Sequence, residues 1–162
     1  MKVTFLGIGT EQLGISQLSA ILKQHGHQTN VAFSAQLFND RFNLQFPFIA
    51  KYFDDTEDAV NTIIETNPDV LAFGALTSTF QWGLDVCRAA KKIKPDIKVI
   101  FGGVHASAVP DLVLGKPEVD YVVVGEGDVA FPQILAQIEN EDYTTPIVNA
   151  RYKTPDGKIV QG

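Results

Sequence analysis

The chain has 162 residues, 45% of them apolar and 20% charged, the proportions of a single soluble globular domain. Its net charge of −6 excludes a general affinity for nucleic acid or anionic membrane, since both favour basic surfaces. Its single cysteine, Cys87, excludes a disulfide framework and a thiolate metal cluster within the chain. No apolar run approaches the roughly 20 residues that cross a bilayer, and the amino terminus enters an apolar stretch directly after Lys2, so a cytoplasmic protein is expected. In chain order, Val3–Leu6 predicts a short buried strand. Ile15–Gln24 predicts a helix, with Ile15, Leu18, Ser19 and Leu22 at helical spacing and His25-Gly26 as its stop. Thr29–Phe33 is the second predicted strand. Thr56 has the character of an N-cap, with Glu57 and Asp58 in the first turn of a helix running to about Thr66.

Pro68-Asp69 opens a third strand, Val70–Phe73. A third helix covers Trp82–Ile93 and is ended by Pro95, with Cys87 facing the core and Arg88, Lys91, Lys92 and Lys94 on a solvated face. Ile97–Phe101 is the fourth strand, a short helix spans Asp111–Leu114, and Val119–Val124 is the fifth strand. A last helix runs from about Asp128 to Glu139. Strands of four to six apolar residues with little alternation are buried on both faces. Five of them, linked by helices, predict an α/β fold: a doubly wound five-stranded parallel sheet, flavodoxin-like or Rossmann-like, in the order 2-1-3-4-5. Two stretches stand outside that alternation. Residues 34–55 hold Phe38, Phe42, Phe46, Phe48, Tyr52 and Phe53, a long aromatic connection that is either a satellite core or a lid. Residues 146–162 carry a hairpin signal, Ile147–Tyr152 and Lys158–Val160 around Pro155-Asp156-Gly157. The expected organisation is a domain over residues 1–143, followed by a hairpin or linker over 144–162 that leads to a further, missing domain.

Four loops carry the chemistry: Gly7–Gly14, Gly74–Phe80, Gly102–Ser107 and Gly125–Asp128. Each follows an apolar run, so in a parallel sheet all four emerge on the carboxyl edge, where ligands bind. Glycines there let a large ligand approach the backbone closely. The first loop is a poor dinucleotide site. Gly7 and Gly9 supply G-x-G, but Gln12 stands where the third glycine belongs, and no acidic residue ends the second strand. It is not a P-loop either, because no Gly-Lys-Ser/Thr follows. In the second loop Thr77 and Ser78 offer hydroxyls to a polar ligand edge, while Ser78 or Thr79 also suits the cap of the third helix. His105 reads as a loop histidine with a local hydrogen bond, and Glu126 as a turn carboxylate at the rim.

The order and spacing of these loops resemble the cobalamin-binding domain at the amino terminus of cobalamin-dependent radical S-adenosylmethionine enzymes. Gly14-Ile15, Leu18 to Lys23 and His25-Gly26-His27 are similar to that family's first helix and its stop. Gly102-Gly103-Val104-His105-Ala106-Ser107 is similar to its GGxH segment, and Asp120 to Asp128 to its D-x-V-V-x-GEGE segment, with Asp128 where Glu is usual. The resemblance implies a cobalamin-binding module, not catalytic by itself and with no metal ligand of its own. Its iron–sulfur cluster and S-adenosylmethionine would sit only in the missing carboxyl-terminal radical domain, which is also its expected partner. The whole enzyme would be of methyltransferase type.

The wider cobalamin family carries D-x-H-x-x-G after the first strand, whose histidine ligates cobalt from below. Aligned on Gly14, this chain has Gly9 for the aspartate and Glu11 for the histidine. The resemblance therefore implies base-off cobalamin without a protein imidazole. Its nucleotide tail would lie along Leu76, Thr77, Ser78, Gly102, Gly103, Val104, His105, Gly125, Glu126 and Gly127. The corrin would rest on Thr10, Glu11, Gln12 and Leu13. Trp82 is a core residue in this reading, with a stack on the cofactor as its alternative. Two other functions stay open: a flavodoxin-like electron carrier holding flavin, and a ligand-free interaction domain.

Overall fold

The computed structural model describes residues 1–9, 12–34 and 56–162. Thr10, Glu11 and the aromatic connection at 35–55 lie outside the described residues. Strands β1 (Lys2–Ile8), β2 (Gln28–Ser34), β3 (Val70–Gly74), β4 (Lys98–Gly102) and β5 (Tyr121–Val123) pair in parallel in the order β2-β1-β3-β4-β5. That is the expected doubly wound order. Strands β6 (Ala150–Lys153) and β7 (Ile159–Gln161) are the predicted hairpin. They extend the same sheet antiparallel beyond β5, giving seven strands.

The described helices are α1 (Leu13–Gln24), α2 (Thr56–Thr66), α3 (Phe80–Ile93), α4 (Gly103–Ala108), α5 (Pro110–Leu114) and α6 (Ala130–Asn140). Most boundaries shift by one or two residues from the sequence reading, and two of the differences have local reasons. The third helix begins two residues early, at Phe80, because burying that ring against Phe101 pulls the first turn onto the sheet. The Gly102–Ser107 segment, expected as a loop, is mostly the short helix α4, since Gly102-Gly103 makes the turn and Val104 to Ala108 then coil over the strand ends.

Alternate residues of each central strand enter opposite cores, as the two-residue period of a strand requires. Leu6, Leu71, Phe73, Val99, Phe101 and Val122 pack under α2, α3, α4 and α5, where Cys87 is also buried. Burial pushes the Cys87 thiol up to about 12, so it stays protonated. Val3, Phe5, Val70, Ala72, Ile100, Tyr121 and Val123 face α1 and α6 on the other side. Much of the basic run of α3 is held in ion pairs: Arg88 bonds Glu118 and Asp85, and Lys91 bonds Asp120, each at 2.6 Å. Asp120 also accepts the Val99 amide at 2.7 Å, so the aspartate that opens the fifth-strand motif pins β5 to β4. Trp82 is half-buried and packs against the core, donating its indole N–H to the Thr56 hydroxyl at 3.0 Å and meeting Phe73 edge-on. That bond ties α3 to the start of α2.

Candidate cofactor-binding site

The carboxyl ends of β1, β3, β4 and β5 all open on one edge, and there the core on the α1 side is incomplete. A cavity of about 460 Å³ runs from the loops down beneath α1, as far as Phe5, Ala72, Ile100, Val123 and Phe131. Its size falls within the usual range for small-molecule sites, roughly 300–1,000 Å³. The cause is the run of small residues around it. Gly14, Ala72, Gly74, Ala75, Gly102, Gly103, Gly125 and Gly127 all line it, so no long side chain fills the space. A Cβ added at Gly14 or Gly125 would meet nothing within 4 Å, and Gly125 further has a φ of +75° that disfavours any side chain.

The loops are fastened to each other by main-chain bonds. Ala75 N–H donates to Gly102 C=O at 2.8 Å and His105 N–H donates to Ala75 C=O at 3.0 Å. This approach requires Gly103, whose φ is +86° and whose Cβ would stand 3.1 Å from both the nitrogen and the oxygen of Ala75. Gly125 N–H donates to the Ser107 hydroxyl at 2.8 Å, joining the fourth loop to α4. Gly9 N–H donates to Ser34 C=O at 2.9 Å, anchoring the first loop to β2. Across the mouth, Gln17 of α1 donates to the Asp128 carboxylate at 2.6 Å.

Among the residues expected from the sequence, Gln12, Gly14, Leu76, Gly102, Gly103, Val104, Gly125, Glu126 and Gly127 all border this cavity. Thr77 and Ser78 are exposed beside its mouth, and Leu13 projects into solvent, 83% exposed. His105 makes the local hydrogen bond expected of it, with Nδ1 3.1 Å from the Thr77 hydroxyl. Thr79 occupies the N-cap position of α3, yet its hydroxyl does not cap the helix. It accepts the Leu76 amide at 3.1 Å, closing the second loop on itself. Sequence reasoning missed Gln17, Thr79 and Asp128 as site residues, and it marked Ile15 and Leu18 only by their helical spacing, where the structure has them wall the cavity. The helical spacing of Ile15 and Leu18 was visible. What it lacked was any sign that the opposing strand residues are too small to meet them.

Beside the exposed polar Gln17, Thr77, Ser78 and Glu126, the rim carries exposed apolar side chains: Leu13, Leu76, Val104 and Val129 are each more than half accessible. Neither His25 nor His27 is near it. His25 caps the far end of α1, bonding Ile21 C=O at 2.9 Å, and His27 bonds the Met1 ammonium at 3.1 Å. His105 has one ring nitrogen on Thr77 and the other buried. So His25 and His27 lie away from this edge, and His105, whose Nε2 is unpartnered but buried, does not line the cavity. No group of three or more His, Cys, Asp or Glu among the described residues is placed to hold a metal ion.

This architecture is shared with known proteins. The chain is 29% identical over 157 residues to the cobalamin-dependent radical SAM methyltransferase TokK of Streptomyces tokunonensis, covering 94% of this chain and 21% of that protein. It is 26% identical over 151 residues to the anaerobic magnesium-protoporphyrin IX monomethyl ester cyclase of Rubrivivax gelatinosus, covering 90% of this chain and 24% of the relative. The fold superposes on the cobalamin-dependent S-adenosylmethionine radical enzyme OxsB, solved with aqua-cobalamin and S-adenosylmethionine bound. The TM-score is 0.75 at 11% identity, over 99% of this chain and 22% of that one. The chain thus spans under a third of the length of each of these relatives. The B12 binding domain family matches residues 6–135, which contain all four loops and every cavity-lining residue except Phe5, and the chain belongs to that family of cobalamin-binding modules.

Proposed function

We propose that this chain holds cobalamin base-off, with the nucleotide tail in the cavity beneath α1 and the corrin on the exposed rim. The observation that carries this is a glycine-lined cavity opening on a rim with no available histidine nitrogen. The cavity is large enough for a part of cobalamin and too small for all of it, so the ring must lie outside. The residues fit the group: the bare backbone at Gly102, Gly103, Gly125 and Gly127 accepts a close ligand, and Leu76 and Val104 present apolar surface to a macrocycle. Thr77 and Ser78 supply hydroxyls to the tail, and Glu126 a polar contact at the rim. Held in this way, cobalamin would take no histidine nitrogen from this rim, and it would supply a methyl group for transfer.

The module itself performs no bond chemistry in this reading. It positions the cofactor for a radical S-adenosylmethionine domain that carries the iron–sulfur cluster, and the length of the relatives supports such a partner beyond residues 144–162. Methyl transfer to carbon is the proposed reaction class, in a cytoplasmic setting and with neither nucleic acid nor membrane as partner. Visible absorption titration with hydroxocobalamin tests the reading. Saturable binding with a base-off spectrum is expected, and a base-on spectrum or no saturation overturns it.

A further inference from the structure

At the edge of the sheet opposite the cavity, where β1 begins, the carboxyl ends of α1 and α6 come together. There α1 closes in a left-handed turn at Gly26, φ +83°, and the His27 amide bonds Leu22 C=O at 3.0 Å. The Gln28 amide donates to Met1 C=O at 2.9 Å and so fixes the first residue beside β2. The Met1 amine nitrogen stands 3.1 Å from His27 Nδ1 and 3.0 Å from Glu139 Oε1, and those two atoms are 3.7 Å apart. Three donor atoms, from the start of β1, the α1–β2 turn and the last turn of α6, thus close a triangle. The Met1 and His27 side chains are 10% and 8% exposed and Glu139 is 43% exposed, so the triangle is shielded on two sides and open to water on the third.

The ammonium can only donate, so His27 Nδ1 is the bare ring nitrogen and Nε2 carries the proton. The carbonyl ends of α1 and α6 add negative potential at the same place, which favours a cation there. The circle through the three donor atoms has a radius of about 1.9 Å, so a cation roughly 0.6–0.8 Å out of their plane stands about 2.0–2.1 Å from each, the length of zinc–nitrogen and zinc–carboxylate bonds. We propose that the Met1 amine, His27 Nδ1 and Glu139 Oε1 form a surface site for a divalent transition ion of the zinc class, with water completing its coordination. Two nitrogens and one oxygen suit zinc, nickel or copper, whereas magnesium takes oxygen ligands. On binding, the ammonium gives one proton to solvent and its nitrogen lone pair to the ion. The ion then joins β1, the α1–β2 turn and α6 at one point. The site lies at the other end of α1 from the cavity and does not depend on the cobalamin reading.

Calorimetric titration of the chain with zinc chloride at about pH 7.5, in a buffer that does not bind metals, tests the site. One ion per chain is expected. His27→Gln, Glu139→Gln and a single glycine added ahead of Met1 each weaken binding by at least about tenfold, since each removes a ligand. His25→Gln leaves it unchanged, because His25 is turned to Ile21 C=O. Magnesium chloride gives no saturable heat. With zinc at about ten times its dissociation constant, the thermal midpoint rises by about 2–4 °C, and His27→Gln loses that rise. A long-range ¹H–¹⁵N correlation spectrum reads the donor directly: zinc moves the His27 Nδ1 signal and leaves Nε2 protonated. Absence of saturable zinc binding, binding that survives the added glycine, or zinc on Nε2 overturns the site. An equal loss in His25→Gln overturns this set of donors.

Discussion

The two ends of the parallel sheet's surroundings treat polar groups in opposite ways. Beside β5, where β6 and β7 join, each buried polar side chain of the Tyr121, Gln137 and Tyr152 group finds a partner. Tyr121 donates its hydroxyl to Gln137 Oε1 at 3.1 Å, and Gln137 donates through Nε2 to the Tyr152 hydroxyl at 3.2 Å. The two phenol rings stack 5.3 Å apart, and burial pushes the Tyr121 hydroxyl up from its ordinary pKa. At the carboxyl edge, by contrast, side chains are missing, apolar residues face solvent, and a histidine nitrogen is buried without a partner. In the first group polar satisfaction holds the fold together, and at the carboxyl edge bare backbone leaves room for a ligand. An unpartnered atom alone does not mark such a place, since Glu118 Oε2 beside Arg88 also lacks a partner among the described residues.

The largest way to break that contrast is at the satisfied end. Gln137→Leu removes the acceptor of Tyr121 and the donor to Tyr152 together, at a cost of about 2–4 kcal/mol for the orphaned groups. Urea unfolding reads the loss as a lower midpoint, and an unchanged midpoint would show that the network contributes nothing. At the receiving end the expectation is reversed. Gly14→Leu adds a side chain where nothing stands within 4 Å, on a helix that gains about 0.8 kcal/mol from losing a glycine. Thermal stability holds or rises, while cobalamin affinity falls tenfold or more because the cavity mouth is filled. Equal affinity would move the entry elsewhere.

The smallest effect sharpens the comparison at a third place, where His27 joins Met1 and Glu139. Burial, and then the Met1 ammonium, hold the His27 imidazole below its ordinary pKa, outweighing the attraction of Glu139. The folded state therefore keeps His27 neutral. As pH falls below about 6.5, the unfolded chain takes up a proton that the folded chain resists, so stability is lost toward acid. Comparing urea midpoints at about pH 7.5 and pH 5.5, His27→Gln should flatten that fall slightly. It should leave cobalamin binding intact, since His27 lies at the other end of α1.

Much of this was legible in local pattern. Val70–Phe73 and Val99–Phe101 are apolar on successive residues, which only a strand covered on both faces tolerates, and the structure puts helices on both. Asp120 was visible as part of a motif, but its work, pinning Val99 and Lys91, was not, because those partners are brought to it by the fold. The same holds for Thr79. Its position before a helix suggested a cap, and the curl of the second loop gave its hydroxyl a nearer partner in Leu76.

The sequence by itself determined the alternation of strands and helices, the strand order, and the gathering of four glycine loops on one edge. All three follow from apolar runs, breakers and the handedness of crossovers, which are properties of neighbouring residues. Only the tertiary structure decided the cavity and the state of His105. A cavity is defined by side chains that are absent at once from Gly14, Ala72, Gly74, Gly102 and Gly127, on elements far apart in the chain. An orphaned nitrogen is likewise a fact about every neighbour it fails to meet. Local pattern records what a residue is, and packing alone records what surrounds it.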